Sequence, residues 1–187
     1  MGRPARIDRA RLLAEALAIA DEHGLDALTM AGVAARLGVT PMALYRHVAS
    51  KADLLDGLVE LLLTEFPPPP PGASWSERLT VLAGNVRASA RRHPSVFPLL
   101  LQLPATTPDA RQTRHAVHVA LGEAGVSGDR IAQVERLVST AVLGFALSEA
   151  AGRFRGHSRR QIDADFEALQ AMLAGFIQME ASGGHRA

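Results

Sequence analysis

Apolar residues recur along this chain every three to four positions and never alternate with polar ones over a useful length, so the pattern predicts helices throughout and an all-α fold. Leu13, Leu17 and Ala20 form the first stripe. Asp8 stands where an N-cap is needed, and Gly24 after His23 offers a left-handed stop. Thr29 caps a short second helix from Met30 to Leu37, with Val33 and Leu37 inward and Gly38 closing it. A third short helix starts near Pro41, with Thr40 as N-cap, and carries Met42, Leu44, Tyr45 and Val48. Ser50 caps a fourth, striped by Leu54, Leu55, Leu58, Val59 and Leu62.

Phe66 is followed by five prolines, Pro67 to Pro71, and Gly72, a run that no helix crosses. The run divides the chain into an N-terminal domain (1–66), a Pro-rich linker (67–73) and a C-terminal domain (74–182). The linker reads as a stiff spacer, with partner docking as the alternative. Beyond it, a helix from Ser74 to Arg92 puts Trp75, Leu79, Leu82 and Val86 inward. A short element spans Pro94 to Leu103, and Thr107 with Pro108 opens another helix that ends near Gly125. Ser127 is placed to cap a long helix from Gly128 to Phe154, with Ile131, Val134, Leu137, Val138, Ala141, Val142 and Phe145 along one side. The last helix, from Arg160 to Glu180, carries Ile162, Phe166, Leu169, Met172, Leu173, Phe176 and Ile177.

Composition narrows the classes. The 187 residues are 48% apolar, which rules out intrinsic disorder. Without cysteine there is no disulfide scaffold, thiol nucleophile or Cys-ligated metal centre. No unbroken apolar run approaches the ~20 residues of a membrane helix. Asp8, Arg9, Arg11 and Glu15 interrupt any signal-like opening, so a soluble, cytoplasmic protein without membrane contact is expected. The net charge of +1 is unevenly spread, with seven basic against five acidic residues up to Lys51. Arg3, Arg6, Arg9 and Arg11 form either an arm suited to phosphates or a solvated tail.

The informative segment is TMAGVAARLGVTPMALYRHVASK, residues 29–51. Two short helices meet at a tight Gly38-Val39-Thr40 turn, the spacing of a helix-turn-helix. Such a unit lays its first helix across a DNA backbone and presents the N-terminal side chains of the second to base edges in the major groove. The turn favours glycine at position 38, and Ala34 allows close approach of the two helices. Thr29 and Tyr45 can donate hydroxyls to phosphate, while Lys51 and nearby backbone N–H groups form an anion site beside His47. Tyr45 has a core alternative, His47 that of an ordinary surface histidine, and Thr29 and Ser50 serve as caps in either case.

Residues 8–62, about 30% of the chain, resemble the DNA-binding domain of the tetracycline-repressor (TetR) family. The matching stretch is RLLAEALAIADEHGLDALTMAGVAARLGVTPMALYRHVASKADLLDGL, and LYRHVASKADLL is similar to the branch holding the tetracycline repressors themselves. The rest resembles the family in layout only, as a helical domain that binds inducer and dimerises. The resemblance implies DNA contact through Thr29, Thr40, Pro41, Met42, Ala43, Tyr45, Arg46, His47 and Lys51. Thr29, Tyr45, His47 and Lys51 would hold the backbone; the other five would face bases. Relatives in this branch often carry an arginine two positions after Thr29, where it can read guanine. Here that residue is Ala31, so the operator should differ from theirs.

The last two helices have stripes wide enough to pack on symmetry mates as a four-helix bundle, giving a homodimer; burial against the remaining helices of the same chain is the alternative. A dimer also suits a palindromic double-stranded operator, with two reading helices about 34 Å apart. Candidate ligand contacts for a small-molecule inducer are Trp75, Phe97, His115, His118 and Phe145, in a pocket shared with Phe154 and Met172 and with Arg87, His93 and Gln102 as polar groups, though each aromatic also suits plain core packing. His115 and His118 share a helical face but have no third ligand at metal spacing, so no metal or cofactor is expected. Asp163, Asp165 and Glu167 read as a solvated face, and no catalytic constellation is present. The expected function is a ligand-responsive, dimeric repressor. The alternatives are an all-helical enzyme or carrier whose N-terminal hairpin serves protein contacts, and a dimerising adaptor without ligand.

Overall fold

A computed structural model describes residues 7–102 and 108–183, the side chains of 108–110 excepted, and these residues form helices and turns. The order is α1 (Arg9–His23), a single 3-10 turn (Leu25–Ala27), α2 (Met30–Leu37), α3 (Pro41–Leu44), α4 (Lys51–Thr64), α5 (Trp75–Arg92), α6 (Leu99–Gln102), α7 (Pro108–Glu123), α8 (Ile131–Ala150) and α9 (Arg159–Gly183). Arg3 and Arg6 of the expected basic arm, Leu103 at the end of the expected short element and the expected helix opening at Thr107 lie outside the described residues.

Most helix starts follow local cap chemistry. Asp8, Thr29 and Ser50 each accept an N–H from the first turn of α1, α2 and α4. Ser74 and Glu77 form a full capping box on α5. Gly38 takes the left-handed conformation, at φ 70° and ψ 33°. Gly24 does not: its φ of 85° is paired with an extended ψ of 161°, so α1 ends by swinging the chain outward into the 3-10 turn. Residues 66–70 are free of helix, as the prolines require, and the Pro67 carbonyl accepts from the Asn85 side chain at 2.9 Å.

The bounds of α8 and α3 also differ from expectation. Ser127 does not cap α8. Its hydroxyl donates to Asp129 at 2.6 Å, and the chain turns once more before the helix starts at Ile131. At the other end α8 stops at Ala150, because residues 151–157 turn through Gly152 and Gly156, both at positive φ. The reading helix is also shorter than its pattern implies: α3 is a single turn, and residues 45–47 continue it only as a hydrogen-bonded turn.

Two main cores result. The first gathers Leu12, Ala16 and Leu17 of α1, Val33 of α2, Leu44 of α3, and Leu54, Leu58 and Leu62 of α4. Val96 and Leu99, from beyond the linker, complete it. The second lies among α5, α7, α8 and α9, around Ala83, Leu121, Val134, Val138, Val142, Phe166, Leu173 and Ile177. By length and composition α8 is apolar enough to cross a bilayer, but Val134, Val138, Val142 and Ala146 are buried in the protein core. Asp163, expected in solvent, instead joins Glu149 in pairing the buried Arg87, at 2.7 and 2.6 Å. The Arg87 guanidinium lies 4.8 Å from the Phe166 ring centre, so α5, α8 and α9 are tied by one cation.

The fully buried Leu58 should cost about 2–5 kcal/mol when cut to Ala. Leu99→Ala should move the same single denaturant transition, since Leu99 sits in the same core. Two transitions, only one of them shifted, would contradict a shared core.

Candidate nucleic-acid interface and ligand cavity

α2 and α3 pack against each other across the Gly38 turn, where the Val39 N–H donates to the Ala34 carbonyl at 2.9 Å. Val33, Ala34 and Leu44 are buried between them and α1, which fixes the hairpin angle. What α3 leaves outside is unusual for its size: Met42 is 75% exposed and Tyr45 49%. Thr40, Pro41, Arg46 and Lys51 are also exposed, as is Thr29 at the start of α2; Ala43 and His47 are half-buried. Seven of the nine expected contact residues are thus exposed at the α2, α3 and α4 starts and the turn after α3. Tyr45 is not a core residue.

A clamp holds the turn between α3 and α4. Arg9 of α1 donates one N–H to the His47 carbonyl at 2.9 Å and another to Asp53 at 2.8 Å. The second Asp53 oxygen accepts the Ala49 N–H at 2.7 Å, while the Asp53 N–H donates to Ser50 at 3.1 Å. Arg9 is therefore committed inside the domain rather than being part of a free basic arm. The Arg9 hydrogen bond, then the Ala49 N–H, holds the Asp53 carboxyl below the usual carboxylate range. Arg36 binds Glu22 in two-pronged fashion at 2.7 Å and Glu15 at 2.9 Å, locking α2 to α1. The clamp left no signal in helical periodicity; only the Ser50-x-x-Asp53 spacing marks one half of it.

Between the two cores lies a cavity of about 230 Å³. Val59, Leu63 and Phe66, on α4 and just past its end, form one wall. Trp75, Leu79, Ala83 and Val86 of α5 face Val138, Val142, Leu173 and Ile177 of α8 and α9. Polar lining is sparse and includes Thr80, Arg114, Glu135, Ser139 and Gln170. Of the residues expected to meet a ligand, the structure brings Trp75 to this cavity and takes the others elsewhere. Phe97 is wholly buried with Ala90 and Ala146, Phe145 packs on Phe154 and Phe166, and His115 is exposed on α7. His118 is half-buried outside the lining. Arg87 is bound up in its ion pairs, Gln102 is exposed, and Met172 is 62% exposed on the outer face of α9. Among the described residues no group of three or more His, Asp or Glu gathers at metal-binding distance.

His93, just after α5, stands between the two halves. Its Nδ1 is 2.8 Å from Asp21 of α1 and its Nε2 3.3 Å from Glu65 at the end of α4. Glu65 also pairs with Arg92.

Residues 12–58 match the family model for bacterial regulatory proteins of the tetR family, and residues 67–179 match that for the tetracyclin repressor-like C-terminal domain. The HTH-type transcriptional repressor DrrR1 of Streptomyces coeruleorubidus is 30% identical over 141 residues, 74% of this chain. The chain spans only about half of that relative, 52% of its length. A crystal structure of BioQ with its double-stranded DNA operator superposes with a TM-score of 0.74 at 27% identity, over 91% of this chain and 99% of that one. The TetR-Q116A protein of Acinetobacter baumannii AYE in complex with minocycline gives 0.79 at 27% identity, over 94% and 99%.

The depressed Asp53 carboxyl fixes the sign of a pH effect. Its stabilisation is present above the unfolded value of about 4 and is lost as pH falls through the lower folded value. Asp53→Asn should lower neutral-pH stability by about 1 kcal/mol or less, the pair being partly solvated, and should flatten the acid limb of stability against pH. An unchanged acid limb would remove the clamp from the account.

Proposed function

The chain belongs to the TetR family of bacterial regulatory proteins, and from that premise we propose that it is a homodimeric, cytoplasmic repressor that leaves a palindromic operator when a small molecule fills its cavity. The observation that carries the reading is the exposed edge of α3. Met42 of α3, and Tyr45 and Arg46 of the turn that follows it, stand in solvent beside the Arg9–Asp53 clamp, next to the exposed Lys51 at the start of α4.

Contacts sort by chemistry. Thr29, Tyr45, His47 and Lys51 hold phosphates through a hydroxyl, a phenol, an imidazole and an ammonium. Arg46 is the long forked donor and reads a base edge, guanine above all. Met42, Ala43 and Pro41 offer apolar surface to thymine methyl groups, with Thr40 at the head of the helix. Leu137, Met172 and Met179 are exposed on α8 and α9, and those helices pair with their counterparts in a second subunit. BioQ in its operator complex and TetR-Q116A with minocycline, both 27% identical, support the two halves of this reading.

Release follows from shared parts. α4 lends Leu54, Leu58 and Leu62 to the reading-domain core and Val59 and Leu63 to the cavity wall. An occupant that pushes on Val59 and Leu63 moves the helix that carries Lys51. It binds best where the two readers no longer match successive major grooves, and that difference in affinity shifts the population off DNA.

Operator affinity should fall steeply between about 50 and 200 mM salt, as phosphate contacts release counterions. Tyr45→Ala and Lys51→Ala should weaken all duplexes alike, whereas Arg46→Ala should change sequence preference in a binding-site selection. Salt-independent binding, or uniform loss on Arg46→Ala, would overturn these roles.

A further inference from the structure

The cavity has a chemical bias that its apolar walls hide. Glu135 lines it from α8, half-buried among Val138, Val142, Leu173 and Trp75. Among the described residues its carboxylate accepts a hydrogen bond from the Ser139 hydroxyl, one turn along the same helix, at 3.1 Å. Among the described residues no arginine, lysine or histidine nitrogen lies within 4 Å of it. Gln170, also on the wall, donates its amide N–H to the Thr80 carbonyl at 3.2 Å and so leaves its oxygen available. The hydroxyls of Ser76, Thr80 and Thr113 can turn to donate or accept. The lining thus holds one half-buried carboxylate, that of Glu135, and one exposed guanidinium, that of Arg114 of α7, which makes no ion pair with it.

A carboxylate drawn partly out of water costs free energy unless a cation or donor meets it. When an apolar occupant covers the cavity, it completes that desolvation. An occupant bearing an ammonium group removes the cost and gains a charge-assisted hydrogen bond. We propose that the ligand is an amphipathic amine, whose apolar body lies along Trp75, Val86, Val142 and Ile177 and whose protonated nitrogen meets Glu135. This rests on the cavity being the inducer site.

The test uses three ten-carbon probes below their micellar concentrations, decylamine, 1-decanol and decanoate, on the full-length protein. Affinities come from thermal shift and calorimetry. Decylamine should bind about tenfold more tightly than 1-decanol, and decanoate most weakly. Glu135→Gln should erase the advantage of the amine over 1-decanol; Glu135→Asp, which keeps the charge, should retain part of it. If 1-decanol equals decylamine, if decanoate binds best through Arg114, or if Glu135→Gln keeps the preference for amine, the charge assignment is overturned. If none of the three binds, the cavity itself is not the ligand site and the release mechanism falls with it.

Discussion

One helix serves both a core and a cavity wall, and the rest of the structure is arranged around that constraint. Leu54, Leu58 and Leu62 of α4 are completely buried against α1 and the reading hairpin. Val59 and Leu63 of the same helix border the cavity, with Phe66 just past its end. A helix of 14 residues is stiff over that length and moves as a rod, so the shape of the cavity and the tilt of the reading hairpin are linked by packing. The link is reinforced from the other side. Val96 and Leu99 reach back from beyond α5 into the reading-domain core, and His93 bridges carboxylates of α1 and α4. The proline run carries no helix, and apolar packing runs across it.

Rigidity within the reading domain is what makes that link useful. A hairpin that flexed would absorb a push from α4. Instead Arg36 ties α2 to α1 through two glutamates, and Arg9 ties the turn after α3 to Asp53 of α4. Both are exposed or partly exposed pairs worth little as isolated stability, yet their forked geometry fixes orientation. On the far side, Arg87 pins α5 to α8 and α9 through Glu149 and Asp163. The C-terminal helices thus form a firm back wall, against which an occupant can displace the α4 side.

The reading hairpin was legible in the sequence because its determinants are local. Caps at Asp8, Thr29 and Ser50 act within four residues, and the Gly38 turn and Pro41 start need no tertiary partner. Ser127 misled because Asp129, two residues on, competes for its hydroxyl. Arg9 and Asp163 misled because their partners lie 44 residues away for one and on another helix for the other. The ligand residues were hidden for a different reason. Aromatic residues drew attention, but Phe97 and Phe145 fill interior gaps. The cavity is walled by valines, leucines and alanines whose helical spacing is the same as that of any core residue. Only the second structural level, where α4 fails to meet α8 closely, distinguishes them. Glu135 stood on the predicted α8 with nothing in its neighbours to mark it as inward.

The account stands or falls on whether filling the cavity moves the readers. Since the chain contains no cysteine, Ala35→Cys on the exposed face of α2 gives one spin label per subunit. The distance between the two labels, measured by pulsed electron resonance in the dimer, should change by several ångströms when a compound that raises the melting temperature saturates the cavity. An inter-label distance that stays the same while that compound releases the operator would mean that α4 does not carry the signal.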